Sequence, residues 1–193
     1  MGQVLTPVPG LASTTAAGLA RRLAEGQWVA VETGLGDVHA TALDLLDRVA
    51  PDRAAALSAE VTIDMDTTDV EVYGRLKQVA FNHQGQRVGR PHVALWAECS
   101  VALAADLGDG RDDPRASSAD LLGRALATLP TSATAGRVRV RADAGYFAGQ
   151  LARACLFTGV EFAIGARRTA PLWRILDGVA ADGWTDAVDM TDG

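Results

Sequence analysis

Two aspartates separated by one residue, Asp64 and Asp66, lie inside the apolar, β-branched stretch VTIDMDTTDVEVYG, residues 61–74. Apolar and polar residues alternate here, so a strand would present one apolar face and one face with both acids. Carboxylates in such a place suit two chemistries, nucleophilic attack on phosphorus and coordination of divalent metal ions. The rest of the sequence has to distinguish between them.

The first chemistry is that of the haloacid-dehalogenase-like phosphatases. Asp64, Asp66 and Thr68 fit the motif Asp-x-Asp-x-Thr after an apolar strand, in which the first Asp attacks phosphorus and the second acts as acid and base. That chemistry also needs a lysine well downstream, and the only lysine, Lys77, lies almost next to the motif. A phosphatase therefore remains an alternative interpretation and not the favoured one.

The second chemistry is two-metal phosphoryl transfer, which needs carboxylates from separate strands around two ions roughly 3.5–4 Å apart. A second alternating stretch, RVRVRADAGYF at residues 137–147, places Asp143 at the end of a strand. Asp66 belongs to the first predicted strand, and Asp143 follows the strand after the first helix of the sheet. Because two adjacent carboxylates repel each other unless a cation is bound, this pairing favours a metal site.

The elements that must position these acids can be predicted from periodicity and from turn residues. Helices are predicted over residues 13–26 and 39–51, followed by a polar link over 52–60. Beyond it we expect strands from residue 61 and over 92–98 and 101–107, a helix over 117–130, a strand from 137, a helix over 148–159 and a strand from 160. This order predicts a mixed α/β sheet with helices on its faces.

The charges are segregated, although the net charge of −6 argues at first against a nucleic-acid partner. Residues 74–92 contain no acid, whereas the last 17 residues contain five aspartates and no base. Arginines of the strand before Asp143 share its face. The candidate contacts to DNA phosphate are therefore Arg75, Lys77, Arg87, Arg90, Arg139 and Arg141.

Five segments together resemble the DDE-type transposases of bacterial insertion sequences, over roughly residues 60–190: TIDMDTTDVEVYG, NHQGQRVGRPHVALWAE, AADLGDGRDDPR, RVRVRADAGYF and GVEFAIGARRTAPLW. The resemblance implies a ribonuclease-H-like core of about five strands flanked by helices, which nicks and joins DNA with Mg²⁺ or Mn²⁺. It implies that Asp66 and Asp143 are the catalytic metal ligands. Asp64 is left as an alternative ligand, a nearby supporting acid or a solvated residue.

The sequence departs from this family at the third carboxylate, which is a glutamate on a helix well downstream. No glutamate follows Glu161, which itself lies inside the last predicted strand. We therefore expect a fragment, incomplete at the C-terminus and with little activity alone. The expected division is a helical lead-in over 1–58, a partial catalytic core over 59–176, and the start of an insertion or a tail over 177–193.

The resemblance implies double-stranded DNA as the partner, both the terminal repeats of the element and its target, and leaves self-association open. No apolar run is long enough for a membrane span, and no signal peptide is apparent. The expected location is therefore the cytoplasm, in association with the nucleoid. A remnant that binds DNA without catalysis is the alternative interpretation within the same family.

Overall fold

The computed structural model of the chain describes residues 27–73 and 79–184. The helices are α1 (Gln27–Val49), α2 (Pro51–Ala59), α3 (Pro114–Thr128), α4 (Thr131–Thr134), α5 (Gly149–Thr158) and α6 (Ala170–Asp177). The strands are β1 (Glu60–Thr67), β2 (Val70–Glu71), β3 (Ala80–Phe81), β4 (Arg87–Trp96), β5 (Val101–Asp109), β6 (Arg137–Ala142) and β7 (Glu161–Ile164). The predicted helix over 13–26 lies outside the described residues.

All these strands belong to one mixed sheet, in which the five longer ones follow the order β5-β4-β1-β6-β7. Strand β4 is antiparallel to β1 and β5, whereas β1, β6 and β7 run parallel. The two-residue strands β2 and β3 both pair with β4. The predicted mixed α/β class, a sheet with about five longer strands flanked by helices, is thereby confirmed.

The apolar face of β1 forms the centre of the core. Val61, Ile63 and Met65 alternate with polar residues as the sequence predicted, and none of the three is more than 2% exposed. Apolar side chains of α3 and α5 pack in the same cluster, among them Leu121 and Leu151. Leu43 of α1 and Ala54 of α2 also belong to it, so the helical lead-in shares the core of the sheet.

The lead-in differs from the prediction in its second half. The segment expected as a polar link is helix α2, which begins with Pro51 in its first turn. A residue before proline avoids the helical region. Ala50 is accordingly extended, with a φ of −153°, and separates helix α1 from helix α2. Three consecutive alanines favour the helix, and the burial of Ala54 in the core adds tertiary packing.

Helix α3 begins earlier than predicted. The sequence predicts a helix from residue 117, but the helix starts at Pro114, because the side chain of Asp113 accepts a hydrogen bond from the N–H of Arg115. Aspartate at the cap and proline at the first helical position are both favoured at helix starts. Ser118 is consequently buried within the first turns and not part of the preceding loop.

Strands β4 and β5 form an antiparallel hairpin, although the link between them contains neither glycine nor asparagine. Ser100 adopts the left-handed conformation there, with a φ of 55°. The predicted end of α5 at Gly159 is also confirmed, with a φ of 72° at that residue. This conformation is the one in which glycine most often ends a helix.

Candidate active site

Asp66 and Asp143 lie at the same edge of the sheet. Strands β1 and β6 are parallel neighbours, and their register pairs Met65 with Ala142. Asp66 is the next residue of β1 and Asp143 directly follows the end of β6, and neighbouring strands are about 4.8 Å apart. Parallel pairing therefore brings together two acids that are distant in the sequence, as the two-metal interpretation required.

Each of these two carboxylates is oriented by a backbone N–H group. Oδ1 of Asp66 accepts a hydrogen bond from the N–H of Thr67 at 2.8 Å. Oδ1 of Asp143 accepts one from the N–H of Gly145, also at 2.8 Å, and so caps the short 3₁₀ turn Ala144–Tyr146. Both residues are exposed. Within the described ranges, the second oxygen of each carboxylate has no hydrogen bond.

Asp64 has a different environment from Asp66. It lies opposite Arg141 in the β1–β6 ladder, and the guanidinium donates to both of its oxygens at 2.8 and 2.5 Å. This hydrogen-bonded pairing holds the pKa of the Asp64 carboxyl below its usual value. Asp66 and Asp143 have no ion-pair partner among residues 27–73 and 79–184. Of the three predicted acids, Asp64 is therefore the one with a counter-charge among the described residues.

The chemistry of Asp66 and Asp143 fits a hard divalent cation. Mg²⁺ is commonly bound through one or two carboxylates, with waters and substrate phosphates as the remaining ligands. Two exposed carboxylates with free oxygens provide such a donor set. Within the part of the chain that the structure describes, no group of three or more His, Cys, Asp or Glu side chains is arranged to hold a metal ion. The expected third carboxylate is thus not found there.

The arginines predicted to contact DNA are largely engaged with carboxylates. Arg90 pairs with Asp69 at 2.6 Å, and its side chain is only 16% exposed. Arg139 pairs more loosely with Glu161 at 3.3 Å, and Arg141 pairs with Asp64. Arg87 begins strand β4, whereas the predicted contacts Arg75 and Lys77 lie outside the described residues. DNA contact by all six side chains stays a prediction.

Tyr146, three residues after Asp143, is a buried residue to which sequence reasoning gave no role. Its side chain is completely buried, and its hydroxyl has no hydrogen-bond partner among the described residues. Burial raises its pKa, and the carboxylates of Asp66, Asp143 and Asp106 raise it further. The available signal was its position in the segment ADAGYF, where a tight turn after Asp143 directs the next large side chain back toward the core.

A cavity of about 780 Å³ lies between the β4–β5 pair and helices α1 and α3, with Pro91, His92 and Leu107 among its lining residues. Its wall includes Arg124, which forms ion pairs with Glu32 at 2.5 Å and Asp106 at 2.6 Å. His92 is only 3% exposed, and neither ring nitrogen has a partner in the described structure. Burial lowers the pKa of this imidazole. Sequence reasoning assigned His92 to a strand but did not predict this environment.

Carboxylates that bind divalent ions are the donor set used in metal-assisted phosphoryl transfer. The chain belongs to the family of transposase DDE domains, group 1, whose model matches residues 11–192. No curated protein sequence matches the chain.

No helix within 27–73 and 79–184 has the length and apolarity needed to cross a membrane.

Several solved structures resemble the chain at low sequence identity. One belongs to the simian T-cell lymphotropic virus intasome in complex with PP2A regulatory subunit B56 gamma, with 14% identity, a TM-score of 0.37, and coverage of 59% of this chain and 37% of that chain. A second is the piggyBac transposase synaptic complex with hairpin DNA, with 8% identity, a TM-score of 0.45, and coverage of 72% and 31%. A third is the Mos1 strand transfer complex, with 15% identity, a TM-score of 0.35, and coverage of 97% and 55%. The matched part is thus between 31% and 55% of these chains.

Proposed function

We propose that the chain provides Asp66 and Asp143 as two metal-binding carboxylates of a site that cleaves DNA and joins strands during transposition. The parallel register of β1 and β6, which makes these acids neighbours at one edge of the sheet, is the observation that most supports this function. Membership of the transposase DDE family supports the same reaction class. The substrate we propose is double-stranded DNA, at the terminal repeats of the element and at its target.

The residues of the chain have separate roles in this proposal. Divalent ions, Mg²⁺ or Mn²⁺, would supply activation of the attacking hydroxyl and stabilisation of the leaving oxygen. The N–H groups of Thr67 and Gly145 hold one oxygen of each aspartate, so that the other oxygen is available to a metal ion in this proposal. Asp64 is not a ligand in this proposal, because Arg141 occupies both of its oxygens.

In this proposal the third carboxylate does not come from residues 27–73 or 79–184. No glutamate follows Glu161 in the sequence, and Glu161 is paired with Arg137 and Arg139 on strand β7. We therefore propose that the 193-residue chain has little strand-transfer activity alone. A further polypeptide that provides an acidic helix would complete the site.

Contacts to DNA are proposed for the basic side chains near this edge of the sheet. Arg139 is 44% exposed, so phosphate could replace its carboxylate partner at small cost. Arg141 is 61% exposed and could donate to phosphate through Nη1 while Nε and Nη2 stay paired with Asp64. Arg90 is less accessible, and its pairing with Asp69 anchors the segment after β1. Phosphate contacts of this kind would position DNA without reading its sequence.

The experiment that tests the function is divalent-ion binding and DNA cleavage by matched variants. Calorimetric titration with Mn²⁺ should show binding to the wild-type chain and its loss in Asp66→Asn and in Asp143→Asn. Asp52→Asn, an exposed acid in the first turn of α2, is the control that should bind as wild type does. Unchanged binding in both site variants would contradict the proposal. Efficient cleavage of terminal-repeat DNA by the chain alone would contradict the proposal that it lacks the third metal ligand.

Two alternatives are separated by the same set of variants. A phosphatase of the haloacid-dehalogenase type would hydrolyse a small phosphomonoester and lose that activity in Asp64→Ala; the pairing of Asp64 with Arg141 makes this role unfavourable. A non-catalytic remnant would bind DNA in a gel-shift assay with an affinity that falls as salt is added. This binding would remain when both Asp66 and Asp143 are replaced.

A further inference from the structure

The segment between strand β7 and helix α6 lies against the turn that follows Asp143. The N–H of Gly165 donates to the carbonyl oxygen of Ala142 at 2.9 Å, which continues the pairing of β6 and β7 past the end of β7. A Cβ at Gly165 would lie 2.9 Å from the backbone nitrogen of Ala144 and 3.2 Å from the carbonyl carbon of Asp143. Glycine, which has no Cβ, permits this close approach of two backbones. The segment is therefore fixed to the turn two residues before Arg167.

Arg167 contacts the same turn with its side chain. Its Nε donates to the carbonyl oxygen of Ala144 at 3.2 Å. The N–H of Phe147, inside the turn, also donates to this oxygen, at 3.3 Å. Arg167 is exposed and belongs to no ion pair within the described residues, so no carboxylate competes for its guanidinium. Arg167 therefore holds the turn from a separate segment of the chain.

The carbonyl that accepts from Arg167 belongs to the peptide group that orients Asp143. The N–H of this peptide group is that of Gly145, which donates to Oδ1 of Asp143 at 2.8 Å. A trans peptide group is planar, so a hydrogen bond that fixes its C=O also fixes the direction of its N–H. A bond accepted by the C=O polarises the group and strengthens the bond that its N–H donates. One peptide group thus connects the guanidinium to the carboxylate.

We propose that Arg167 is a positioning residue for Asp143, which acts through the peptide group of Ala144 and Gly145 and holds the carboxylate in its metal-binding orientation. This inference rests on the proposed function of Asp66 and Asp143. The loss of groups that orient metal ligands through hydrogen bonds commonly weakens metal affinity by about 10–100-fold. Arg167 touches neither the ion nor the reacting atoms in this role.

Two neutral replacements separate the hydrogen bond of Arg167 from its charge. The amide nitrogen in Arg167→Gln is as far along the side chain as Nε and can still donate, whereas Arg167→Met has no donor. Both variants lose the positive charge, so its repulsion of a nearby cation is removed from both alike. We expect Mn²⁺, titrated calorimetrically into the full chain, to bind about 10-fold more weakly to Arg167→Met than to Arg167→Gln. Arg168→Met, at the neighbouring exposed arginine, is the control and should bind no more weakly than wild type.

A second measurement needs no metal. The amide proton of Gly145 reports on its hydrogen bond to the ionised carboxylate of Asp143, because a shorter, charge-assisted bond moves the proton resonance downfield. In proton–nitrogen correlation spectra we expect this resonance to move upfield in Arg167→Met and to stay near its wild-type position in Arg167→Gln. The urea midpoints of both variants should remain close to that of wild type, because the side chain is exposed.

The outcomes distinguish this inference from the proposed function. Equal Mn²⁺ affinity of Arg167→Met and Arg167→Gln would overturn the positioning role, while loss of binding in Asp143→Asn would leave the metal site standing. If neither Asp66→Asn nor Asp143→Asn affects binding, the metal site itself is wrong and the inference fails with it. A urea midpoint of Arg167→Met far below that of Arg167→Gln would show that the hydrogen bond stabilises the fold instead, and would also overturn the inference.

Discussion

Arg141 and Asp64 are direct neighbours in the parallel ladder of β1 and β6, and the guanidinium donates to both oxygens of the carboxylate. Two residues beyond Asp64, Asp66 has no such partner among the described residues. The same pair of strands therefore presents one neutralised acid and, at its end, two acids without a counter-charge. This difference, more than the Asp-x-Asp spacing itself, separates a structural carboxylate from candidate ligands.

Asp64→Asn should cost little stability and leave metal binding intact. Because the Arg141 side chain is 61% exposed, the ion pair is screened, and we expect a loss of about 0.5–1 kcal/mol at pH 7. The pKa of Asp64 is lowered in the folded protein, so its contribution is present above the unfolded pKa and disappears as the pH falls through the folded pKa. The free energies of unfolding of wild type and variant, measured in urea, should therefore differ at pH 7 and become equal at about pH 2–3. A loss of Mn²⁺ binding in Asp64→Asn would instead identify it as a ligand.

Asp66→Asn should not destabilise the metal-free protein. The amide retains the oxygen that accepts from Thr67 N–H, and it removes one of two like charges at neighbouring strand ends. Mg²⁺ should raise the Tm of the wild-type chain with the logarithm of its concentration above Kd, and should leave the Tm of the variant unchanged. Thermal unfolding without Mg²⁺ and at Mg²⁺ concentrations that increase in 10-fold steps would measure both effects. A variant that is less stable without metal would indicate a structural role for the carboxylate.

The strand that presents Asp64 and Asp66 could be predicted from sequence because its burial follows a period of two. Val61, Ile63 and Met65 read as one face in the sequence and are buried in the structure. The end of β6 was predictable for the same reason, since Val138 and Val140 alternate with arginines. Alternation fixes which face a residue occupies, and strand order then places the two acids at one edge.

Partners across the sheet could not be predicted in the same way. The pairing of Asp64 with Arg141 depends on the exact register of β1 and β6, which a shift of one residue would abolish. The burial of His92 and Tyr146 depends on how α3 packs over the sheet, and no local pattern records it. Sequence reasoning therefore located the candidate ligands but not the groups that neutralise or surround them.

Gly145→Ala should displace the carboxylate of Asp143 without unfolding the protein. A Cβ at this position would lie 2.8 Å from Oδ1 of Asp143, so the flexible carboxylate must rotate and lose its backbone hydrogen bond. We expect a cost of about 0.5–1.5 kcal/mol and a reduction of Mn²⁺ affinity of about 10-fold, measured by urea unfolding and calorimetric titration.

The matched control for that change is Gly123→Ala. No atom lies within 4 Å of the added methyl group, and the residue is inside helix α3. Alanine should therefore stabilise the protein by roughly 0.5–1 kcal/mol and leave Mn²⁺ affinity unchanged. Equal metal affinity in both alanine variants would show that Asp143 is not held by Gly145 in the functional site.

His92 should make the protein less stable as the pH falls below about 6.5, the pKa of an unperturbed histidine. Burial lowers the folded pKa of His92 and outweighs the opposite effect of Asp106 and Asp112. The unfolded chain therefore binds a proton at a pH where the folded chain does not, and stability declines by up to about 1.4 kcal/mol per pH unit down to the folded pKa. His92→Leu removes two unpaired nitrogens and should flatten this decline, whereas His83→Gln, in an exposed turn, should retain it. Urea unfolding between pH 7 and pH 5 measures the slopes, and a wild-type slope that persists in His92→Leu would assign the effect to another group.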